Sequence, residues 1–369
     1  MEDNLFRIVG SDGSIDDRFE PRLSADELKK VYATLVKVRM LDDRMLVLQR
    51  QGRVGFYVPS TGEEAVQVGS AWILEKEDWV FPAYREPGAA LVRGVPLGKI
   101  IAQIYGNASD ISKGRQMPSH IGDRDVNFVT PSSPVATQIP IAVGAALAMG
   151  MRKERNVALV YFGDGATSTG DFHSAMNFAG VFSAPCIFVC KNNQWAISLP
   201  FTRQTASQSV AMKAMAYGFE GVRVDGNDVL AVYTSTKHAV ENARAGKGPT
   251  LIEAVTYRMG PHSSSDDPSR YRDAKEVEEW RKRDPITRFK MYLQAKGLWD
   301  EKMEAEIRRQ IDEELSAAIK EQEAAPRPPV ESLFTDVYAE MPWNLREQME
   351  ETKARAGKHK GEASEQFPL

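Results

Sequence analysis

Two short polar motifs each come directly after a run of apolar residues. Gly163-Asp164-Gly165 follows the run 157–162, and Asn192-Asn193 lies just after the run 186–190. Asp164 offers a carboxylate, an asparagine offers an amide oxygen, and a nearby backbone carbonyl offers a third hard oxygen. Mg²⁺ prefers such ligands alongside phosphate oxygens. The glycines would let the main chain approach a diphosphate closely. The motifs therefore predict a site for a magnesium-bound diphosphate.

Neither motif is specific by itself. Gly-Asp-Gly also marks ordinary turns, and two adjacent asparagines carry even less information. Two unrelated turns are therefore the alternative interpretation. The position of the motifs argues against it, because each ends an apolar run, and ligands of open parallel sheets bind beyond the carboxyl ends of the strands. The runs are consecutive predicted strands, so the motifs are expected to be neighbours in space.

Apolar runs that alternate with helical segments position these motifs. This order predicts an α/β fold, a mostly parallel sheet flanked by helices, with helical N- and C-terminal additions. The predicted strands are 79–81, 157–162, 186–190, 222–225 and 251–256. Helices are predicted from Ser24, as the N-cap, to Gly52, and over 62–74, 138–151, 171–182, 207–217 and 229–245, with charged helices over 274–324. The expected divisions are an N-terminal arm (1–25), the α/β domain (26–325) and a C-terminal helical extension and tail (326–369), poorly ordered from about residue 353.

The composition argues against several classes of protein. The chain has 369 residues, a formal net charge of −4, 42% hydrophobic and 27% charged residues, which suits a globular protein with a sizeable core. Its scattered basic residues give no sign of nucleic-acid binding. No apolar run reaches the ~18 residues of a membrane span, and residues 1–20 are acidic without a signal or transit pattern, so a cytoplasmic protein is expected.

Cys186 and Cys190 lie on one predicted strand, roughly 13 Å apart, which is too far for a disulfide and predicts buried thiols.

The paired motifs resemble the signature of thiamine-diphosphate enzymes. The resemblance extends over nearly the whole chain to the alpha subunits of branched-chain 2-oxo acid dehydrogenases. The stretches that carry it are 105–118, 128–140, 223–233, 251–272 and 333–342. It implies the thiamine-diphosphate-binding fold and a thiamine-diphosphate-dependent oxidative decarboxylation of branched-chain 2-oxo acids. The acyl group would then pass to a lipoyl domain of an acyltransferase core.

The resemblance also assigns cofactor ligands, residue by residue. Asp164, Asn193 and the backbone carbonyl of Trp195 would bind Mg²⁺, and Gly165 and Ala166 would contact the diphosphate through the main chain. The further cofactor contacts that it implies are Tyr84, Arg85 at the diphosphate, Ser133 and Val135 at the aminopyrimidine end, Lys191 and His262. Lys191 stands where the family usually carries arginine, so the charge is kept but the planar fork is lost. The residues that resemble a potassium site are Ser132, Pro134, Thr137 and Gln138.

His262, in the stretch 260–267, is the candidate catalytic histidine. A single histidine is commonly a surface or structural residue, and the sequence alone leaves that alternative open. By the resemblance, His262 would orient or protonate the reacting intermediate, a role that suits a side chain with a pKa near working pH. Ser263 follows it directly and is assigned to catalysis with it. This loop is phosphorylated in eukaryotic relatives, and whether Ser263 is modified stays open.

One part of a thiamine site is missing from the sequence. Thiamine enzymes use a glutamate on a second α/β domain to activate the aminopyrimidine, and this chain predicts only one sheet of that size. A beta subunit is therefore expected to complete the site in an α₂β₂ heterotetramer. Two alternatives stay open. The substrate could be pyruvate or acetoin, or the chain could be a non-catalytic scaffold that binds magnesium diphosphate.

Overall fold

A five-stranded parallel sheet forms the centre of the computed structural model, which describes residues 5–358. The strands of the chain are β1 (Trp79–Phe81), β2 (Ala158–Gly163), β3 (Cys186–Asn192), β4 (Trp195–Ala196), β5 (Leu199–Pro200), β6 (Glu220–Asp225) and β7 (Thr250–Val255). The central sheet has the order β1-β2-β3-β7-β6, and β4 pairs with β5 in a separate antiparallel ribbon. Every pairing in the central sheet is parallel. The predicted fold class is therefore confirmed.

Helices cover the sheet and extend the chain at both ends. They are α1 (Ala25–Arg50), α2 (Glu64–Trp72), α3 (Pro87–Arg93), α4 (Leu97–Tyr105), α5 (Gln138–Met151), α6 (Gly170–Val181), α7 (Val229–Arg244), α8 (Ala274–Arg281), α9 (Pro285–Ala295), α10 (Glu301–Ala324), α11 (Ser332–Thr335) and α12 (Trp343–Lys358). Ser24 caps α1 as predicted, because its side chain accepts from the Glu27 N–H while Glu27 accepts from the Ser24 N–H. The helix predicted over 207–217 is instead a shorter 3-10 helix, Ala211–Tyr217.

The C-terminal region differs from its prediction in one respect. Helix α12 continues to Lys358, so the expectation of poor order from residue 353 is wrong for residues 353–358. Lys353 gives a physical reason, since its Nζ lies 3.4 Å from a Glu331 carboxylate oxygen and 3.2 Å from one of Glu350, one turn earlier in the helix. Residues 359–369 lie outside the described residues. The division of the chain at residues 25 and 325 stays a prediction.

The side chains of β2 alternate between two hydrophobic cores. Leu159 and Tyr161 pack on one face of the sheet with residues of α1, α2 and α7. Ala158, Val160 and Phe162 pack on the other face with residues of α5 and α6. Both faces are covered, so the strand is apolar throughout rather than alternating. Full burial of each large apolar side chain contributes about 1.5–3 kcal/mol to the stability of the fold. This burial holds the strand in place and therefore fixes the position of the polar motif at its end.

The sheet edge and the cysteines complete the framework. The N–H of Phe6 donates to the Arg223 carbonyl at 3.0 Å, and the Asp225 N–H donates to the Phe6 carbonyl at 3.0 Å, so the start of the chain adds to the outer edge of β6. Cys186 and Cys190 are free and buried, as predicted. No helix within residues 5–358 is long and apolar enough to cross a membrane.

Candidate active site

The two polar motifs meet at the carboxyl end of the sheet. β2 and β3 are adjacent, with Gly163 paired to Lys191 in the register. Asp164 and Asn193 follow these strand ends and line one cavity of about 290 Å³. The prediction that the motifs are neighbours is therefore confirmed, because parallel strands bring their carboxyl ends to the same edge.

Most of the residues singled out in the sequence line this cavity. They are Tyr84, Arg85, Ser132, Ser133, Pro134, Val135, Gln138, Asp164, Gly165, Ala166, Lys191, Asn193, Trp195 and His262. Thr137 is not among the lining residues, and its hydroxyl donates to the Pro134 carbonyl at 2.9 Å. Ser263 is buried beside the cavity without lining it. The individual roles assigned to these residues stay predictions.

Asp164 is a buried carboxylate without a cationic partner. Gln204 Nε2 donates to its Oδ2 at 2.6 Å, and no lysine or arginine of the described chain forms an ion pair with it. Burial raises the pKa of Asp164 to about 6. A buried carboxylate is costly unless a positive charge compensates it, and a divalent cation would supply that charge. Next to it, a Cβ on Gly165 would lie 2.8 Å from the Ala196 Cβ, so only glycine fits there.

The Asn193 amide and the Trp195 carbonyl both have protein partners. Asn193 Nδ2 donates to Glu63 Oε1 at 2.7 Å, and its Oδ1 accepts from the Trp195 N–H at 3.2 Å. The Trp195 carbonyl accepts from Arg258 Nη1 at 3.3 Å. Within residues 5–358, no group of three or more histidine, cysteine, aspartate or glutamate side chains is arranged to hold a metal. The predicted Mg²⁺ ligands are of a different kind, with one carboxylate, one amide oxygen and one carbonyl.

The ammonium group of Lys191 is surrounded by acceptor atoms of neighbouring residues. Its Nζ lies 3.0 Å from Glu63 Oε2 and 2.5 Å from Glu86 Oε1, and it donates to the Arg85 carbonyl at 3.0 Å. The ammonium group therefore forms two ion pairs and one hydrogen bond with buried neighbours. Lys191 therefore holds the floor of the cavity together, and the direct cofactor contact predicted for it stays untested.

Arg85 fixes the position and protonation of His262. Its Nη2 donates to the His262 carbonyl at 2.9 Å and lies 3.3 Å from His262 Nδ1, while its Nη1 donates to the Pro59 carbonyl. Arginine can only donate, so Nδ1 must accept and the proton of the neutral ring lies on Nε2. Burial, followed by the charges of Arg85 and Arg258, lowers the pKa of His262 to about 4. His262 is therefore a neutral imidazole at working pH, with an N–H to donate, and the pKa near working pH expected from the sequence is wrong for this buried side chain.

The loop that carries His262 is anchored on both sides. The N–H of Ser264 donates to the Tyr57 carbonyl at 2.9 Å, and the Tyr57 N–H donates to Ser264 Oγ at 3.1 Å. The His262 N–H donates to Asp266 Oδ2 at 2.6 Å. Tyr84 contacts the His262 ring edge-on, with ring centroids 6.3 Å apart. These contacts hold the histidine at the cavity wall.

Sequence reasoning missed four polar residues of the site: Glu63, Glu86, Gln204 and Arg258. Arg258 comes shortly after the carboxyl end of β7, so the same strand-end argument could have found it. Glu63 and Glu86 precede helices α2 and α3, where acidic residues are common for reasons of the helix dipole alone. Gln204 lies in an irregular segment that carries no pattern.

A parallel sheet whose polar strand ends line one cavity is the arrangement of an α/β enzyme, and comparison with known proteins identifies the family. Residues 32–331 match the family model described as dehydrogenase E1 component, and the chain belongs to that family. It is 44% identical over 367 residues to the mitochondrial 2-oxoisovalerate dehydrogenase subunit alpha of Homo sapiens, covering 99% of this chain and 82% of that protein. It is also 45% identical over 358 residues to the 3-methyl-2-oxobutanoate dehydrogenase subunit alpha of Mycobacterium tuberculosis, covering 94% and 93% of the two chains. The resemblance seen in the motifs is confirmed.

Proposed function

We propose that this chain acts as the alpha subunit of a 2-oxo acid dehydrogenase that oxidatively decarboxylates branched-chain 2-oxo acids such as 3-methyl-2-oxobutanoate. The acyl group then passes to a lipoyl domain of an acyltransferase core. The observation that carries the proposal is the convergence of Asp164, Asn193 and a neutral His262 on one cavity at the sheet edge. The near full-length similarity to branched-chain alpha subunits supports the substrate class.

The residues of the cavity fit thiamine diphosphate and Mg²⁺. Asp164, Asn193 Oδ1 and the Trp195 carbonyl would hold the metal, and the uncompensated charge of Asp164 gives it an electrostatic reason to bind. Gly165 and Ala166 would meet the diphosphate through their main chain. Bound thiamine diphosphate would supply a nucleophilic carbon that adds to the 2-oxo carbon, and a cationic ring that takes up the electron pair when carbon dioxide leaves.

The protein contributes positioning and hydrogen bonding. His262 Nε2–H is a donor that could hydrogen-bond to the 2-oxo oxygen of the substrate and stabilise the negative charge that develops there. Burial, followed by the charges of Arg85 and Arg258, keeps this histidine neutral, so it donates a hydrogen bond as an imidazole and not as an imidazolium. Their own positive charges favour the anionic carboxylate of a 2-oxo acid in the cavity. The apolar side chains at the same cavity, Phe162, Val135 and Ile197, suit a branched aliphatic group.

We extend the proposal to a potassium ion in the loop 132–138. Gln138 Nε2 donates to the Tyr161 carbonyl at 2.8 Å, which leaves its amide oxygen free for a cation. Ala136 has a positive φ of 74°, an uncommon conformation that a bound ion would help to stabilise. Ser132, Pro134 and Thr137 would supply the other oxygens. Exchange of K⁺ for a bulky organic cation is expected to lower the melting temperature of the complex, and no change would remove this ion from the proposal.

The proposal includes a beta subunit, in an α₂β₂ heterotetramer, that supplies the missing activating glutamate. An apolar surface supports it. Six large apolar side chains of α5, α6, the residue after α6 and the 3-10 helix are each more than half exposed: Ile141, Met151, Phe178, Val181, Phe182 and Met215. A surface of this kind commonly marks a protein interface. Val135 and Ile197, at the cavity itself, are also more than half exposed. Cytoplasmic location stays a prediction.

A co-expression assay tests the proposed function. The chain is expressed with a beta-type subunit and supplied with thiamine diphosphate and Mg²⁺, and decarboxylation of 3-methyl-2-oxobutanoate is followed with an artificial electron acceptor. We expect turnover that requires both chains and greatly exceeds that on pyruvate. Preferred turnover of pyruvate or acetoin would overturn the substrate class. Bound cofactor without turnover of any 2-oxo acid would favour a scaffold subunit.

A further inference from the structure

Each asparagine of the Asn192-Asn193 pair is held by its own buried glutamate. Asn192 Nδ2 donates to Glu253 Oε1 at 2.7 Å, and Asn193 Nδ2 donates to Glu63 Oε1 at 2.7 Å. Both glutamate side chains are fully buried. Only Asn193 and Glu63 line the cavity, whereas Asn192 and Glu253 lie outside its lining. The two pairs are chemically alike but differ in their relation to the site.

Glu63 holds two donors at once. Its Oε1 accepts from Asn193 Nδ2, and its Oε2 lies 3.0 Å from Lys191 Nζ. Glu63 is the N-cap residue of α2, yet its side chain makes no capping hydrogen bond and turns to the cavity instead. An asparagine amide has a donor end and an acceptor end. With the NH₂ group committed to Glu63, Oδ1 is the end that can act as a ligand, through the lone pair that does not accept from the Trp195 N–H.

We propose that Glu63 is a positioning residue for the metal, which orients the Asn193 amide so that its oxygen, and not its NH₂ group, is available to Mg²⁺. This inference rests on the proposed function. A carboxylate suits the task because Asn193 and Lys191 both need an acceptor. A glutamine has one amide oxygen and could satisfy only one of them. If a glutamine in place of Glu63 accepted from Lys191, its NH₂ group would face Asn193 and favour the flipped amide, which presents NH₂ to the metal.

The first test is a Mg²⁺ titration of the complex with the beta subunit at saturating thiamine diphosphate. Tryptophan fluorescence measures the binding, and Trp195 in the cavity wall is the expected reporter. Glu63→Gln is expected to weaken the apparent affinity for Mg²⁺ by about 10–100-fold, as the loss of an outer-shell partner typically does. Glu253→Gln is the matched control. It removes the same charge from an equally buried asparagine partner, and we expect the affinity for Mg²⁺ to stay at the wild-type value.

A second background separates positioning from general damage. The carboxylate introduced by Asn193→Asp has two equivalent oxygens and no amide to orient, and it would repel Glu63 at this short distance. In the Asn193→Asp background, Glu63→Gln removes this repulsion, and the NH₂ group of the new glutamine can donate to the new carboxylate. The double variant is therefore expected to bind Mg²⁺ more tightly than Asn193→Asp alone. The effect of the same substitution thus changes sign. This comparison stands even if Glu63→Gln alone is poorly folded, because the double variant restores a donor–acceptor pair.

The outcomes are distinct. Weaker binding when Glu63→Gln is made in the wild-type chain, and tighter binding when it is made in the Asn193→Asp variant, support the inference. Unchanged affinity in Glu63→Gln, or equal losses in both backgrounds or in Glu253→Gln, would overturn it while leaving the proposed function intact. Absence of Mg²⁺-dependent cofactor binding by the wild-type complex would instead overturn the proposed function, and the role of Glu63 with it.

Discussion

The two walls of the cavity are built in different ways. On the metal side, Asp164 and Asn193 follow directly from buried parallel strands, and the strand register sets their spacing. His262, by contrast, lies on a loop that long-range hydrogen bonds hold in place, from Arg85 and from Tyr57. The first wall is a consequence of the sheet, whereas the second depends on single side chains far away in the chain.

This difference predicts different responses to substitution. Removal of a metal-side group should abolish binding while the framework stays folded, since the sheet does not depend on it. Removal of a group that anchors the loop should affect the protonation or order of His262 and leave metal binding in place.

The largest effect is expected for Asp164→Ala and Asp164→Asn. Loss of the only carboxylate among the proposed Mg²⁺ ligands should abolish Mg²⁺ binding and with it all measurable turnover, because loss of even an outer-shell partner typically costs about 10–100-fold in affinity or activity. In the cofactor-free protein, the raised pKa means that the charge of Asp164 costs stability as the pH rises from 3.8 towards and above about 6. Asp164→Asn should therefore melt at a higher temperature than the wild type at pH 7 without cofactor. A lower melting temperature would contradict the account of an uncompensated charge.

His262→Ala should have the next largest effect. If Nε2–H donates to the reacting oxygen, its loss is expected to lower the turnover number by about 10²–10⁴-fold. Binding of Mg²⁺ should change little, because His262 is not among the proposed Mg²⁺ ligands. Rate and binding measured on the same preparation check both statements. An unchanged rate would favour the scaffold alternative.

The same contrast decides how much the sequence could predict. Asp164, Asn193 and their proximity follow from motifs at the ends of apolar runs, because the parallel sheet converts sequence order into spatial order. Glu63 and Glu86 could not be assigned this way. Their roles depend on which distant segment packs against them, and one acidic or basic residue near a helix start or strand end has many ordinary explanations. Local sequence patterns therefore predict the site residues that directly follow the strands, but not the tertiary contacts that hold those residues in place.

A smaller and more specific effect concerns the pKa of His262. In the cofactor-free protein its imidazole should titrate with a midpoint of about 4, followed by NMR of ¹³C-labelled histidine and assigned through His262→Ala. Arg85→Gln removes one of the two cations that, after burial, hold the pKa down, so the midpoint should rise. A wild-type midpoint near the ordinary value of about 6.5 would show that the loop is more open than the hydrogen bonds to Arg85 indicate.

The smallest effect is expected for Ser264→Ala, which deletes the acceptor of the Tyr57 N–H and leaves the backbone bond between Ser264 and Tyr57 in place. One hydrogen bond of this kind contributes about 1 kcal/mol, so the melting temperature should fall slightly. Hydrogen exchange in residues 260–267 should rise, since one of the two bonds to Tyr57 is lost. Affinity for Mg²⁺ should not change. If it fell in parallel with loop order, the two walls would be coupled, and the loop contacts would have to be counted as part of the metal site.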